Sequence, residues 1–443
     1  MEAFKIKNGL SAKRYLGSTT TLSGSTIDLS LGSMFSTTLS SDPAYTFTNP
    51  PASGNAQAFS VEVTGGTTTF TQDSFATTLY TGNGSTQTIT NGLDLANDGG
   101  LIWIKQREAS WVHLLQDTTM SRGHRLDTST NAAIQDNSGY NITSISSTGF
   151  GLTDNSSGLY GVNGSAGGAY AGTNAKYVAW SFKKQAKFFD IVTWTGNGAA
   201  MTIDHNLGQV PGMIIVKSTS ATYNWAVWHR EFTGTTDYIR LNLTNAKTDS
   251  AGVFGDGSQA LTPTSTQFFV GGNNQVSGEV GGTYVAYLFA HDTASDSRIK
   301  CGSTTQVSGG TTVDLGWEPQ WVLIRAATTS NWFIFDNKRG GSLTLLPNSS
   351  NAEGSQGAGA FEYNTTGFTI EDYITGSVGD TLIYMAIRAS AATDSAITWP
   401  SSVKWPSGVA PTTPAAGTKD LFTFLTTDGG TTYYGKKAAE GLA

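Results

Sequence analysis

The sequence feature that most constrains the fold is a pattern that occurs three times. GGLIWIKQREASWVHLLQD from Gly99, PGMIIVKSTSATYNWAVWHR from Pro211 and PQWVLIRAATTSNWFIFDNKRG from Pro319 each contain an apolar run, a short polar connection and a second run led by tryptophan. Each continues with STGFGL, STQFFV or TTGFTI and then with KYVAWSF, TYVAYLF or TLIYMAI. A period of about 110 residues exceeds the roughly 20–50 residues of a solenoid repeat, so the pattern predicts three successive domains.

The runs themselves indicate β-structure. Apolar and polar residues alternate in TIDLS, FSVEV and FTFL, and Gly, Asn, Asp and Ser clusters such as NDGG, GDGS, GGNN and TDGG separate the runs as turns. Period-two runs between turn residues are typical of strands, and no long segment has the 3.6-residue period of a helix. The sequence therefore predicts an all-β protein of tandem β-sandwich or jelly-roll-like modules.

The segments on either side of the three modules each contain few strands for a stable sandwich. Together they have the size of an ordinary domain, and insertions at hairpin tips are tolerated because the chain ends lie close together there. We therefore predict one split β-domain in which SVEV and AITW are neighbouring strands. The predicted division is an N-terminal arm over 1–25, the first half of the split domain over 26–78, modules over 79–190, 191–298 and 299–390, and the second half over 391–443.

One tryptophan leads the second strand of each module, at Trp111, Trp225 and Trp332. A flat aromatic ring suits sugar stacking, but recurrence at one place in every copy favours a core anchor. The sequence therefore predicts that these three side chains are structural.

Two further tryptophans stand in ITWPSSVKWPSG, each followed by proline. A proline disfavours the helical region for the residue before it, which predicts extended backbone at Trp399 and Trp405. We expect both to be core anchors on strands that pack against Phe47, Phe59 and Val61.

The first module alone carries the loop DNSSGLYGVNGSAGGAYAG, from Asp154 to Gly172. Gly, Ser, Asn and Tyr are the residues that binding loops use for adaptable contacts. Tyr160 and Tyr170 are therefore candidates for contact with a glycan or protein receptor. The alternative is a loop that packs on a neighbouring subunit or fills space.

Charge and hydropathy exclude several classes of function. The net charge is −7, and no run of Lys or Arg exceeds two residues, so the basic surface required for nucleic acid or anionic lipid is not expected. No apolar run resembles a signal peptide or a membrane span, which predicts folding in a cytoplasm without membrane insertion. The single cysteine, Cys301, excludes an intrachain disulfide.

The sequence contains no recognisable catalytic or metal motif. His113, His124, His205, His229 and His291 lack a second His or Cys at metal-ligand spacing, so neither a metal nor a cofactor is predicted. No G-x-S-x-G signature is present. A pair of carboxylates could still serve a glycosidase, because that chemistry needs only two at a suitable separation. We expect a protein that is not an enzyme.

Several segments resemble a known class of proteins. IDLSLGSMFSTTLSSDPAYTFTNPPASGNAQAFSVEVTGG, ITWPSSVKWPSGVAPT and KDLFTFLTTDGGTTYYG resemble a small β-module of virion structural proteins of tailed bacteriophages, especially marine and cyanobacterial ones. YTGNGSTQTI, IDHNLGQVPGMIIVK, FDNKRGG, NSSNAEG and TYVAYLFAHD resemble a repeat of uncharacterised function in the same class. FKIKNGLSAKRYLG is similar to the start of phage fibre-like proteins.

The resemblance implies a virion protein assembled in the host cytoplasm, and we expect a tail fibre or tail-associated fibre that acts in adsorption by multivalent weak binding. The implied partners are other tail or baseplate proteins and a host-surface glycan or protein receptor, and the implied oligomer is a homotrimer. One alternative is a capsid decoration or head fibre without a receptor. Another is an envelope-polysaccharide depolymerase, although such enzymes resemble β-helices of short rungs. The third copy lacks TGNG, so no ligand site common to all three copies is expected.

Overall fold

The structure is a computed structural model of the 443-residue chain. The described residues confirm the all-β class, since their helical structure is limited to α1 (Leu95–Asp98) and the 3₁₀ turns Thr71–Asp73 and Arg230–Phe232. Within them, no helix is long and apolar enough to cross a membrane. The structure describes residues 19–22, 24–38, 45–64, 71–136, 141–153, 162–164, 175–232, 236–294, 297–389, 397, 399–406, 408–411 and 419–442.

The chain forms two compact units. The first, here called the split unit, comprises Met1–Phe70 and Ala391–Ala443, and the second, the insert, comprises Thr71–Ser390. The boundary therefore lies earlier than the predicted limit at residue 78. The reason is that the strand Phe75–Thr81 pairs along its whole length with Lys176–Lys183 inside the insert.

The two segments of the split unit contribute to one six-stranded sheet, in the order β1, β3, β5, β33, β34, β32. Its central contact is antiparallel and joins the two segments, with Val61 opposite Phe422 and Phe59 opposite Phe424. The strands are β1 (Thr20–Thr21), β2 (Thr26–Asp28), β3 (Met34–Thr38), β4 (Thr46–Thr48), β5 (Gln57–Thr64), β32 (Val403–Lys404), β33 (Lys419–Thr426) and β34 (Tyr433–Leu442).

Trp399 lies in the core of the split unit but not on a strand. Its ring centroid lies 4.9 Å from that of Phe424 and 5.2 Å from that of Tyr45, and Trp405 packs beside it at 5.9 Å. The prediction that both tryptophans stand on strands is wrong, because only the short β32 between them pairs with the sheet. The predicted pairing of SVEV with AITW is not seen either: β5, which contains SVEV, lies between β3 and β33, and Ile397 and Trp399, the described residues of AITW, are not on a strand.

The insert consists of three repeats with the same order of strands. The first repeat contains β6 (Phe75–Thr81), β7 (Gln87–Thr90), β8 (Gly100–Gln106), β9 (Leu114–Asp117), β10 (His124–Asp127), β11 (Gln135–Asp136), β12 (Ile142–Ile145), β13 (Gly149–Leu152) and β14 (Lys176–Lys183). The second contains β15 (Phe189–Thr195), β16 (Met201–Asp204), β17 (Pro211–Ser218), β18 (Ala226–His229), β19 (Asp237–Arg240), β20 (Thr248–Asp249), β21 (Gln267–Val270) and β22 (Thr283–Ala290). The third contains β23 (Ile299–Thr305), β24 (Thr311–Asp314), β25 (Pro319–Ala326), β26 (Phe333–Asp336), β27 (Leu343–Thr344), β28 (Gly354–Ser355), β29 (Phe361–Asn364), β30 (Gly367–Ile370) and β31 (Thr381–Arg388).

Each repeat has a larger and a smaller sheet. The larger sheets follow one order: β11, β10, β9, β8, β14, β6 in the first repeat, β20, β19, β18, β17, β22, β15 in the second, and β26, β25, β31, β23 in the third. The smaller sheets are β12, β13, β7, then β21, β16, then β29, β30, β24. Phe150, Phe268 and Phe368 are buried at equivalent positions in the smaller sheets.

The three repeats share a central core, so they are not the independent domains that the period predicts. In β8, Ile104 belongs to the first repeat's own core, whereas Trp103 belongs to a cluster to which all three repeats contribute. In β25, Ile324 belongs to the third repeat's own core, whereas Leu323 belongs to the shared cluster. Strands buried on both faces have continuous apolar runs rather than strict alternation, which accounts for LIWI, MIIV and WVLI.

Candidate binding cleft between the first and second repeats

Strand register, rather than the tryptophan motif, determines which residues of the repeats are equivalent. The strands β9, β18 and β26 begin one residue after His113, Trp225 and Trp332. His113 is thus the counterpart of the two tryptophans, and all three side chains are buried. Trp111 lies two residues earlier and is only half-buried, so the predicted alignment of this tryptophan with the other two is wrong.

The two buried indoles bind the preceding repeat. Trp225 Nε1 donates to the carbonyl oxygen of Asp127 at 3.1 Å, and Trp332 Nε1 donates to that of Arg240 at 2.9 Å. In the first repeat, burial lowers the pKa of His113 well below its usual value, and the backbone of Leu346 in the third repeat partly offsets this shift. The same position therefore links each repeat to its neighbour.

Backbone hydrogen bonds close the insert into a ring. An equivalent bond joins each pair of repeats, at positions that correspond in the strand registers, and the third repeat bonds back to the first. The bonds are Ile134 N to Thr219 O (3.0 Å), Lys247 N to Ala327 O (2.8 Å) and Glu353 N to Arg107 O (2.7 Å).

A second buried position varies in chemistry from one junction to the next. Tyr287 OH donates to Asp117 Oδ2 at 2.7 Å between the second and first repeats, and Trp180 Nε1 donates to Asp336 Oδ2 at 3.0 Å between the first and third. These carboxylates lie at the ends of β9 and β26 and hold the repeats together. They are engaged in structural hydrogen bonds rather than directed at a substrate.

At the remaining junction the counterpart of the two carboxylates is His229, and the counterpart of the two donors is Met385, which cannot donate. The Nε2 atom of His229 lies 3.1 Å from the carbonyl oxygen of Tyr384. Burial lowers the pKa of His229 to about 3, so its ring is neutral and Nε2 can donate to this oxygen.

Buried cations anchor the turn after the first strand of each hairpin. Lys217 Nζ donates to the carbonyl oxygens of Ser218 and Ala221, and Lys105 and Arg325 occupy the equivalent positions. Burial lowers the pKa of Lys105 and Lys217 to about 7 and that of Arg325 to about 9. Because these cations bind backbone carbonyls, their role is structural.

The candidate site is a cleft of about 500 Å³ at the junction between the first and second repeats. Asn131 lines it from the first repeat, and Thr222–Asn224 and Gly272–Gln275 line it from the second. Its side chains are carboxamides, a hydroxyl and a phenol, and none of its lining residues is charged. Small-molecule sites have volumes of roughly 300–1,000 Å³, so the cleft is large enough for a ligand.

Hydrogen bonds within the second repeat fix one wall of the cleft. Asn274 Nδ2 donates to Tyr223 OH at 3.1 Å, and Tyr284 OH donates to the carbonyl oxygen of Asn274 at 2.9 Å. The half-buried Tyr223 ring is thus held in place by the Gly272–Gln275 loop of the same repeat.

Asn224 is oriented by a buried relay. Asn242 Oδ1 accepts from the Trp225 backbone N–H at 3.1 Å, and Asn242 Nδ2 donates to Asn224 Oδ1 at 2.8 Å. The Asn224 oxygen is occupied by this bond, which leaves its amide nitrogen as the donor available to the cleft.

Gln275 presents an unsatisfied acceptor. Its backbone N–H and its Nε2 both donate to Asn273 Oδ1, at 2.9 and 3.2 Å, while its Oε1 is buried and has no donor within the described part of the protein. Buried polar atoms are normally paired, and this oxygen is an exception that lies behind the surface of the cleft wall, closed to solvent as the side chain stands.

The corresponding place at the junction between the second and third repeats is built differently. Ser330 replaces Tyr223, and its backbone N–H donates to the Thr244 carbonyl oxygen at 2.9 Å. Its hydroxyl lies 2.7 Å from that of Thr375, on the loop equivalent to Gly272–Gln275. The side chains that would border a cleft here contact one another directly.

The other predicted site residues lie elsewhere. Tyr160 and Tyr170 fall outside the described residues. Trp111 lines a void of about 10 Å³, at the lower limit for one water. The described residues contain no cluster of three or more His, Cys, Asp or Glu that could hold a metal ion, and burial raises the pKa of the Cys301 thiol.

Sequence analysis missed the cleft, because GGNN was interpreted only as a turn. A signal was present in the carboxamides of GGNNQ and TYN, which the third copy replaces with EDYIT and TSN. That signal does not indicate which distant residue completes the site, since Asn131 reaches it only when the ring closes.

Fold and site together define an all-β chain whose insert is a ring of three repeats with a polar cleft between the first and second. The chain belongs to the DUF7483 family, a domain of unknown function, whose family model matches residues 71–390. That match covers the whole ring as one domain.

Comparison with other proteins adds little. No curated protein matches the sequence. Solved structures to which the chain is similar include the major capsid protein P2 from bacteriophage PM2, with 10% identity over 46% of this chain and 99% of that one at a TM-score of 0.18. The STIV MCP is 8% identical over 54% of this chain and 92% of its own, at a TM-score of 0.16. Scores this low carry no argument about fold or function.

Proposed function

We propose that this protein is a virion structural protein of a tailed phage, and that it acts as a tail fibre or tail-associated fibre in adsorption to the host surface. The resemblance of both halves of the split unit to a phage virion module supports this proposal. So does the architecture of the insert, in which buried hydrogen bonds hold three repeats in one ring, as suits a rigid extracellular part.

The observation that carries the adsorption role is the uncharged cleft between the first and second repeats. It combines Tyr223 with carboxamides whose positions are fixed by other protein groups. Such a cleft can bind a surface ligand without performing chemistry on it, and the protein is proposed not to be an enzyme. A homotrimer would carry three copies of the cleft, so that individually weak contacts would combine into avid attachment.

Localisation on the particle tests this function. Purified phage particles are incubated with a gold-labelled antibody against the whole chain and imaged by negative stain. We expect label on the tail, and we expect the antibody to slow adsorption to host cells. Label confined to the capsid would contradict the adsorption role and favour a decoration protein or head fibre.

Two measurements test the remaining parts of the proposal. Light scattering on the purified chain is expected to give three times the 46.6 kDa chain mass. Incubation with host-envelope polysaccharide is expected to release no reducing sugar, and release would establish a depolymerase instead.

A further inference from the structure

We infer that the cleft between the first and second repeats binds a neutral saccharide. This inference deepens the proposed adsorption function, and it rests on that function for the source of the ligand, a glycan of the host surface. Its physical basis is the chemistry of the cleft walls.

The absence of charge in the lining selects the class of ligand. Phosphates, sialic acids and uronic acids are recognised through arginine or lysine, which supply charge-assisted hydrogen bonds. The lining residues of this cleft include no such side chain. A neutral ligand gives up only the hydration of its hydroxyls, which hydrogen bonds to the lining can replace, whereas an anion would give up the much stronger hydration of a charge without a cationic partner.

The lining groups match sugar hydroxyls. A carboxamide both donates and accepts, and a hydroxyl does the same, so a row of carboxamides can pair with the adjacent hydroxyls of a sugar ring. Asn131, Asn224 and Asn273 provide carboxamides from both repeats in the lining of the cleft. The half-buried Tyr223 adds an aromatic surface suited to the C–H groups of a pyranose.

The wall of the cleft also contains an unpaired acceptor. Gln275 is 9% exposed, and its Oε1 has no donor within the described part of the protein. This oxygen is closed to solvent as the side chain stands, so a sugar hydroxyl reaches it only if the Gln275 side chain turns towards the cleft. Tyr223 and Asn224 are held in position by other protein groups before any ligand enters, which lowers the entropy lost on binding.

The closed junction between the second and third repeats provides a matched control. Tyr373 is 60% exposed and lies in the loop equivalent to Gly272–Gln275. If any exposed tyrosine could bind sugars without a shaped cleft, substitution of Tyr373 would weaken binding as much as substitution of Tyr223. We expect Tyr373→Ala to leave binding unchanged.

The experiment uses the whole chain on an array of neutral hexose and N-acetylhexosamine oligosaccharides and their sialylated or uronic-acid counterparts. The strongest neutral binder is then titrated by calorimetry. We expect selective binding of neutral oligosaccharides, with Kd raised at least about tenfold, or about 1.4 kcal/mol, by Tyr223→Ala. Asn131→Ala, at an exposed position of the other repeat, should raise Kd about fivefold without affecting folding.

Several results would overturn the inference: no binding to the neutral oligosaccharides, preference for the anionic set, or binding that survives both Asn131→Ala and Tyr223→Ala. Thermal unfolding of each variant distinguishes loss of the site from loss of the fold. Label on the capsid with intact saccharide binding would contradict only the adsorption function. Label on the tail without saccharide binding would contradict only this inference.

Discussion

The junction between the first and second repeats and the junction between the second and third share one buried framework. In each, an indole donates to a carbonyl oxygen of the preceding repeat and an asparagine accepts the indole residue's own backbone N–H. The paired bonds are Trp225 Nε1 to Asp127 O, Trp332 Nε1 to Arg240 O, Trp225 N to Asn242 Oδ1 and Trp332 N to Asn348 Oδ1.

The two junctions differ in the residues around this framework. The first has Tyr223 and an open polar cleft, whereas the second has Ser330 in direct contact with Thr375. The first joins Tyr287 to a carboxylate, whereas the second joins His229 to a backbone carbonyl. Buried bonds to the backbone thus hold the ring together at both junctions, while the side chains beside them are free to differ and to acquire a binding role.

Loss of a framework indole should have the largest effect. Trp332→Ala removes a fully buried side chain together with its bond to the Arg240 carbonyl oxygen, and we expect a loss of about 3–5 kcal/mol in the free energy of unfolding. Trp225→Ala should cost about the same. Trp111→Ala, at the half-buried position, is the control and should cost less than about 1.5 kcal/mol. Urea unfolding measures all three, and equal losses would restore Trp111 as the counterpart of the other tryptophans.

Removal of one hydroxyl tests the first junction next. Tyr287→Phe keeps the buried ring but leaves Asp117 Oδ2 without its phenolic donor, and hydrogen bonds to charged groups contribute about 1.5–3 kcal/mol. We expect a loss of that size in urea unfolding. Met385→Leu, at the equivalent position of the third repeat, changes no hydrogen bond and should cost less than about 1.5 kcal/mol. An unchanged free energy of unfolding in Tyr287→Phe would mean that the Asp117 contact does not stabilise the junction.

Titration of His229 tests the second junction. Burial lowers its pKa to about 3, whereas an unfolded histidine titrates near 6.5, so the unfolded chain binds the extra proton between these values. The stabilisation by neutral His229 is complete above pH 6.5 and is lost as pH falls towards 3. From pH 6.5 to 5 it should account for about 2 kcal/mol of lost stability.

The variant His229→Gln retains a donor for the Tyr384 carbonyl oxygen without a titrating ring. Its unfolding free energy, measured in urea at pH 7.5, 6.5, 5.5 and 5.0, should fall less steeply than that of the unaltered protein. Burial also lowers the pKa values of His113, His205 and His291, so some acid sensitivity will remain. Identical slopes in the two proteins would show that His229 does not titrate with unfolding.

Much of the fold could be predicted from local pattern. The recurrence of GLIWIK, MIIVK and WVLIR indicated equivalent strands, and alternation between Asx-Gly turns indicated an all-β chain, because both signals depend on residues close in sequence. The shared core could not be predicted in this way. A strand buried on both faces has the same sequence whether the second face meets its own repeat or another.

The cleft shows the same limit. Tyr223 and the GGNNQ loop lie in one repeat, but Asn131 joins them only because Ile134 bonds to Thr219 and fixes the first repeat against the second. The error at Trp111 has a similar origin. The tryptophan motif suggested one alignment, but the connections before β9 and β18 are equally long, and the first repeat places its tryptophan two residues earlier, which leaves His113 at the buried position.

The smallest effect on stability is expected where the two junctions differ most visibly. Tyr223→Ser makes the first junction resemble the second at this position. Tyr223 is only half-buried and its hydroxyl accepts a single bond, from Asn274, so we expect a loss below about 1 kcal/mol in urea unfolding. Ser330→Tyr is the reciprocal change. It places a large ring where Ser330 contacts Thr375 at 2.7 Å, and overpacking should cost about 1–3 kcal/mol. This asymmetry would show that the cleft is a tolerated opening beside a fixed framework, whereas equal losses would mean that Tyr223 itself helps to hold the ring closed.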